Sequence, residues 1–441
     1  MKNNFRKIVA SILLVSAMFT ANAQSPSPSG RDGVGLVNLE TVLKLAGANN
    51  LTIQEYQLKY QHALAEQSKA KEWYLPNIYF GASTHYLNGA AMNTDGQIFT
   101  DVNRNNLWTG LGIGAEIDFS KGFYSSLAAK QKAKAMQYQS TTEKNKMILQ
   151  TVQTYFDLQV EQLKYFFLQQ LVNQSNTISQ QIKIKVDAGL LYQSDYLLSQ
   201  SNYNHLKISM LQTKIEWQKK SAELVNLLNL ENNISLVSGD TTLIPLKLIE
   251  QKNDTATYKN GFEKRAEYLG LSSELQSFQT LRKTANQGLL LPKLRAGFDN
   301  GAFGAYTTPL YNTYQFNASL VWNLPLGRFT YKGDLKKYDT QILIQQNEIE
   351  QFKNQFQQEI SIANSQLQIA QEQMTIAKHA LQSSTEALNQ SIERQKLGTA
   401  KPFEVFQIQQ FFLQAQTDYV KTVIDYNKVQ YALWVALGNM L

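Results

Sequence analysis

The side chains that most often carry chemistry are sparse in this 441-residue chain. It has 4 histidines and no cysteine, so thiolate nucleophiles, disulfides and sulfur-ligated metals are unavailable. His62, His85, His205 and His379 lie far apart, without the short spacing that lets two imidazoles share a metal. His85 falls on an expected strand and reads as a wall or interface residue. No Gly-x-Ser-x-Gly elbow, phosphate-cradling glycine loop or dinucleotide fingerprint is present. Acids are plentiful, but their pairs fall at helical spacing and read as solvated faces. We therefore assign no catalytic residue, no metal and no cofactor, and ask what the elements themselves are built to do.

The first residues point outward from the cell. Lys2, Arg6 and Lys7 precede an apolar run from Ile8 to Phe19, and Ala21-Asn22-Ala23 supplies the small residues of a cleavage site. Residues 1–23 read as a secretory signal peptide and residues 24–35 as an N-terminal linker. No cysteine follows the apolar run, so no lipid anchor is expected there. Beyond it no stretch is long and apolar enough for a membrane helix, which takes about 20 residues. A membrane protein of this composition must then be a β-barrel. The net charge of +7 is scattered among acids and describes solvated helices; no nucleic-acid partner is expected.

The chain repeats itself. Leu75-Pro76-Asn77-Ile78-Tyr79-Phe80-Gly81 returns as Leu291-Pro292-Lys293-Leu294-Arg295-Ala296-Gly297. Ala188-Gly189-Leu190 returns in the same way as Leu397-Gly398-Thr399. Residues 36–231 form the first repeat: a helix, a strand pair at 75–87 and 107–119, a long helix at 124–187 and a return helix at 194–230. Residues 261–441 form the second, with strands at 291–304 and 313–324, a long helix at 331–396 and a return helix at 402–437. Residues 232–260 connect them.

The strands alternate as lipid-facing strands do. Leu107, Thr109, Leu111, Ile113, Ala115 and Ile117 occupy one face of their strand; Trp108, Gly110, Gly112, Gly114, Glu116 and Asp118 occupy the other. Tyr314, Phe316, Ala318, Leu320, Trp322 and Leu324 likewise oppose Gln315, Asn317, Ser319 and Asn323. Four strands cannot close a barrel, since transmembrane barrels begin at about 8, so copies of the chain must pool their strands. Two copies or three would both serve, and periodicity does not choose. In the long helices, Phe352, Phe356, Ile360, Ala363, Leu367, Ala370, Met374, Ala377 and Leu381 recur at steps of mainly three and four, the pattern of a left-handed supercoil.

Together these residues resemble the TolC family of outer-membrane efflux proteins over nearly the whole mature chain. The opening Val37-Asn38-Leu39-Glu40-Thr41-Val42-Leu43-Lys44-Leu45-Ala46-Gly47-Ala48-Asn49-Asn50, the Leu-Pro before each strand pair and the two glycine turns carry the likeness. Arg265-Ala266-Glu267 departs from the family's usual Arg-Pro-Glu and is expected to affect only a helix start. The resemblance implies an α+β membrane protein of two pseudo-repeats. Each protomer would give four transmembrane β-strands to a 12-stranded trimeric β-barrel, continued by a long periplasmic α-helical coiled-coil tunnel.

It further implies a homotrimer in the outer membrane of a Gram-negative bacterium, in contact with outer-membrane lipid and with a large periplasmic part. Its partners would be a periplasmic adaptor (membrane fusion) protein and, through it, an inner-membrane pump of RND or ABC type. Ala188, Gly189, Leu190, Leu397, Gly398 and Thr399 match the family's adaptor-contact tip. Asp187, Glu386 and Glu393 fall where the family often rings its periplasmic entrance with acids. Residues 88–106 and 305–312 become extracellular loops. The function implied is a passive exit duct of a tripartite efflux or type I secretion system. The rival from another class is an exported coiled-coil stalk of structural or adhesin type, which shares the signal peptide and the heptads but has no use for two strand pairs.

Overall fold

The computed structural model describes residues 33–231, 233–240, 243–249 and 261–441. The signal peptide expected at 1–23 and most of the 24–35 linker lie outside them. Chain order is β1 (Val34–Val37), α1 (Leu39–Asn49), α2 (Leu51–Lys69), β2 (Asn77–Met92), β3 (Ile98–Asp118), α3 (Phe119–Asp187), α4 (Gln193–Leu227) and β4 (Ser235–Ser238). The second repeat holds α5 (Ala266–Thr284), β5 (Lys293–Gly304), β6 (Tyr311–Val321), a short α6 (Leu326–Tyr331), α7 (Gly333–Lys396) and α8 (Pro402–Ala436).

β2, β3, β5 and β6 form one antiparallel sheet in that order. Its register puts Ile78, Phe80, Leu111, Ile113, Phe298 and Phe316 on one face, and Tyr79, Gly110, Gly112, Asp299 and Gln315 on the other. The apolar face is open: Phe80 is 87% exposed and Phe316 71%. β2 and β6 are edges, each with one row of backbone groups unpaired among the described residues.

Several boundaries differ from the sequence reading, each for a local reason. The loop expected at 88–106 is mostly strand, and its turn shrinks to the residues between Met92 and Ile98. Asn93 Oδ1 closes that turn by accepting from the amides of Asp95 (3.1 Å) and Gln97 (2.8 Å). The loop expected at 305–312 likewise shortens, because β6 starts at Tyr311. The helix expected from 124 begins at Phe119, directly from the strand, with Asp118 Oδ1 capping the amide of Lys121 at 2.9 Å. Gly122, a helix breaker in the sequence, is used there because the Trp73 indole lies where its side chain would be.

The return helix ends at Leu227, not 230, where Asn229 turns the chain at φ 49°. α7 starts at Gly333 rather than 331, after Lys332 adopts φ 51°. The end of the 24–35 linker and the start of the 232–260 connector are also more than coil: β1 and β4 pair in parallel, Val34 to Ser235 through Val37 to Ser238.

α3 has 69 residues and α7 has 64, so each spans on the order of 100 Å. Which helix packs on which gives the order α4, α3, α8, α7, leaving α4 and α7 on the flanks. Their seams are apolar: Leu168, Leu171 and Leu206 between α3 and α4, Ile178, Ile182, Val405 and Phe406 nearer the turns. Halfway along, the connector is strapped to the helices by side-chain amides. Gln162 Oε1 accepts from the Ser238 amide (2.7 Å) and Gln159 Nε2 donates to the Asp240 carbonyl (2.7 Å). On α8, Asn427 accepts from the Leu246 amide (2.8 Å) and donates to the Ile244 carbonyl (3.1 Å). Tyr155 donates to Asp240 Oδ2 at 2.5 Å in the same strap, and burial together with that carboxylate drives its phenol pKa well above the ordinary range.

At the start of α5, Arg265 is buried between Glu267 (2.7 Å) and Glu359 (2.6 Å), over the rings of Phe352 and Phe356. Ala266 is the first helical residue, the position at which the family's proline would also fit. Removing Arg265 leaves two partly buried carboxylates without their cation. Arg265→Ala is expected to cost on the order of 3 kcal/mol and to lower the thermal midpoint of the helical circular-dichroism signal. Arg295→Ala, which breaks an exposed pair with Glu116, is expected to cost under about 1 kcal/mol.

Candidate functional site

Two regions hold the residues singled out by the sequence: the helix turns at one end and the sheet at the other. Each turn ends its long helix in the same hydrogen-bonded form. Leu190 N–H donates to the Lys185 carbonyl (2.8 Å) and Gly189 N–H to that of Val186 (2.9 Å). Thr399 N–H donates to Arg394 (2.9 Å) and Gly398 N–H to Gln395 (3.1 Å), the equivalent bonds. This pattern needs a left-handed residue after the helix, and Gly189 and Gly398 supply it at φ 70° and 79°. In both repeats the next helix starts four residues after that glycine, at Gln193 and at Pro402. Asp195 accepts from the Tyr192 amide at 3.2 Å in one repeat, and Pro402 occupies the first helical position in the other.

The fold brings the two turns together. Lys185 Nζ donates to the carbonyls of Gln395 (3.2 Å) and Lys396 (3.4 Å), a cation at the negative end of α7. Arg394 lies 3.7 Å from Glu404 across the second turn. Of the six residues named from sequence, Ala188, Gly189, Leu190, Leu397, Gly398 and Thr399 are all exposed. Leu190 is 74% and Leu397 79% exposed, an apolar pair at the helix turns with nothing among the described residues to cover it. Asp187, Glu386 and Glu393 are exposed as well, but they form no cluster within the chain. Glu393 is taken up by Lys396 at 2.7 Å.

At the sheet end, the polar face closes its base with ion pairs. Lys293 lies 3.0 Å from Asp118, and Arg295 lies 3.4 Å from Glu116. Higher up, the Tyr79 hydroxyl donates to Asp299, two strands away. His85 sits on this polar face opposite Asn106. Such a surface can face water, as the apolar one can face lipid.

Elsewhere, three described carboxyl groups stand out. Glu161, Glu274 and Asp425, on α3, α5 and α8, have carboxyl groups pushed above the usual range, in each case mainly by burial. They lie on separate elements. Among the described residues no three His, Asp or Glu side chains come close enough to hold a metal ion. No described helix is long and apolar enough to cross a membrane.

Sequence reasoning missed the amide strap, although a signal was present. Gln159 with Gln162, and Asn427 with Gln430, are amides three residues apart on otherwise apolar helix stripes. All four are nearly fully buried. Such pairs must find backbone partners, and the connector provides them.

The family model of the outer membrane efflux protein matches residues 42–230, the greater part of the first repeat. No curated protein matches the sequence. Among solved structures, the CmeC outer membrane channel of Campylobacter jejuni shares the fold at a TM-score of 0.75 with 17% identity, over 91% of this chain and 85% of that one. The open state of the MtrE outer membrane channel of Neisseria gonorrhoeae gives 0.75 and 15% over 91% and 89%. The outer membrane protein VceC of Vibrio cholerae gives 0.74 and 14% over 91% and 96%. The second repeat, outside the family match, is covered by this shared fold. The chain thus resembles the outer membrane efflux protein family over most of its first repeat and shares, over nine-tenths of its length, the fold of these outer membrane channels.

Proposed function

We propose that three copies of this chain form a passive exit duct through the outer membrane, serving a tripartite efflux or secretion system. The observation that carries this reading is the four-stranded sheet: apolar and exposed on one face, glycine-rich and polar on the other, with both edges unpaired. In hydrocarbon an unpaired backbone group costs several kcal/mol, so β6 of one copy must meet β2 of the next. Three copies give twelve strands and a water-filled bore, which two would fill with side chains.

The helical flanks ask for the same arrangement. Ile362, Ile369 and Ile376 recur every seven residues on the uncovered side of α7, and Ile208, Leu211 and Ile215 lie uncovered on α4. These are coiled-coil seams without a partner among the described residues. Circling three copies sets α4 of one against α7 of the next and closes a tunnel beneath the barrel. The tip, with Leu190 and Leu397 exposed, is then the face for the periplasmic adaptor, which links the duct to an inner-membrane RND or ABC pump. Of Asp187, Glu386 and Glu393, the acids expected to ring the entrance, Glu393 is paired with Lys396, which leaves Asp187 and Glu386 to carry the ring. The family is one of efflux proteins, not enzymes, and energy must come from the pump. A coiled-coil stalk has no need of a lipid-facing sheet.

Ile215 and Ile376 each lie about twenty residues from their tip turn, on the order of 30 Å along the helices, so they face one another across the proposed seam. In this cysteine-free chain, Ile215→Cys with Ile376→Cys is expected to give covalent dimers and trimers with a short bismaleimide, while either single variant gives none. Labelling of both cysteines without any covalent oligomer would refute the seam. Leu190→Arg with Leu397→Arg is expected to leave the trimer intact in the outer membrane yet fail to restore drug resistance to cells lacking their own duct. Full restoration would remove the tip from adaptor contact.

A further inference from the structure

The polar face of the sheet holds more aromatic surface than a water-filled wall requires. Gly110, Gly112 and Gly114 follow one another along this face of β3, and two rings lie over them. A methyl group at Gly110 would sit 2.9 Å from Cζ2 of Trp108 and 2.6 Å from the Gly301 Cα. At Gly112 it would run into the ring of Tyr79, whose Cε1 is also 3.5 Å from where a methyl on Gly114 would be. Both rings therefore rest against the glycine strip of this wall, in the space that side chains at Gly110 and Gly112 would take. The hydroxyl of Tyr79 is held by Asp299, which brings a carboxylate to the same level. At the base the acids are matched by Arg295 and Lys293, whereas Asp299 is met by a phenol.

The face of an aromatic ring attracts cations, and a flat ring stacks on flat rings. A neighbouring carboxylate strengthens the first effect. We propose that Trp108, Tyr79 and Asp299 form a transit site on the lumen wall, repeated in each protomer, for planar aromatic organic cations. The proposal rests on the duct reading, which makes this face the lumen. Weak, repeated contact suits a conduit, because a solute must bind well enough to enter and loosely enough to leave.

The test uses full-length protein in a neutral detergent and N-methylacridinium, whose fluorescence is quenched on stacking against indole. Saturable quenching is expected for the native chain. Trp108→Leu, which keeps an apolar cover over Gly110, should weaken it about five- to tenfold. Asp299→Asn, on the exposed wall, should weaken it and reduce its salt dependence. The aromatic anion 1-naphthalenesulfonate should not compete. Equal quenching by the native chain and both variants would overturn the site and leave the rings as covers for glycine. A separate labelling experiment tests the duct reading itself. In proteoliposomes, Ser83→Cys on the face of Trp108 should react with a membrane-impermeant maleimide, and Ala82→Cys on the opposite face should not. Reaction at Ser83 with no Trp108-dependent quenching refutes the transit site alone; the reverse labelling pattern refutes the duct reading with it.

Discussion

The unpaired edges of one four-stranded sheet constrain everything else in this protein. In water, an edge strand can find solvent for its amides and carbonyls; in hydrocarbon it cannot. The apolar face formed by Ile78, Phe80, Ile113, Phe298 and Phe316 is wide open and commits the sheet to lipid. Closure with other copies follows from the backbone. The opposite face follows too, since a closed barrel must fill its interior or wet it. Glycine at positions 110, 112 and 301 keeps that side thin, and the polar neighbours of those glycines let water in.

The long helices extend this geometry away from the membrane. β3 passes into α3 with only the Asp118 cap between them, so the sheet and the tunnel wall are one continuous element. Apolar seams hold α3 to α4 and α8 to α7. The connector between repeats ties these pairs at mid-height, using the amides of Gln159, Gln162, Asn427 and Gln430 in place of a neighbouring strand. Beyond the strap, the pairs meet partly through a polar layer, with Asn202 donating to Ser175 (3.3 Å) and to Gln409 (3.2 Å). Polar contacts of that kind exchange with water more readily than a leucine seam does.

Much of the architecture was legible because periodicity is a physical requirement. A strand with lipid on one side and water on the other has to alternate, and Leu107 to Ile117 does. A helix pair has to carry a three–four stripe, and Phe352 to Leu381 does. The glycine turns were visible because a left-handed residue after a helix narrows the choice to few residue types. What stayed hidden was decided by contacts distant in sequence. Nothing local in Asn88 to Asn106 distinguishes a loop from a projecting hairpin, because asparagine and glycine favour turns and only the cross-strand pairing overrides them. The helix was expected to start only at 124, because nothing near Gly122 in sequence shows that the Trp73 indole fills the space of its side chain. Ser235 to Ser238 is short and polar at its ends, and it becomes a strand only because Val34 to Val37 lies alongside. The flat rings of Trp108 and Tyr79 were equally invisible, since alternation gives the face of a residue and not the direction in which its ring lies.

The central claim, that these four strands are one third of a barrel, is tested most directly by the molar mass of the detergent-extracted protein, measured by light scattering with bound detergent subtracted. The account predicts a mass close to three times that of the mature chain. A monodisperse monomer with intact helical and strand signals would contradict it, because a lone four-stranded sheet cannot line a pore.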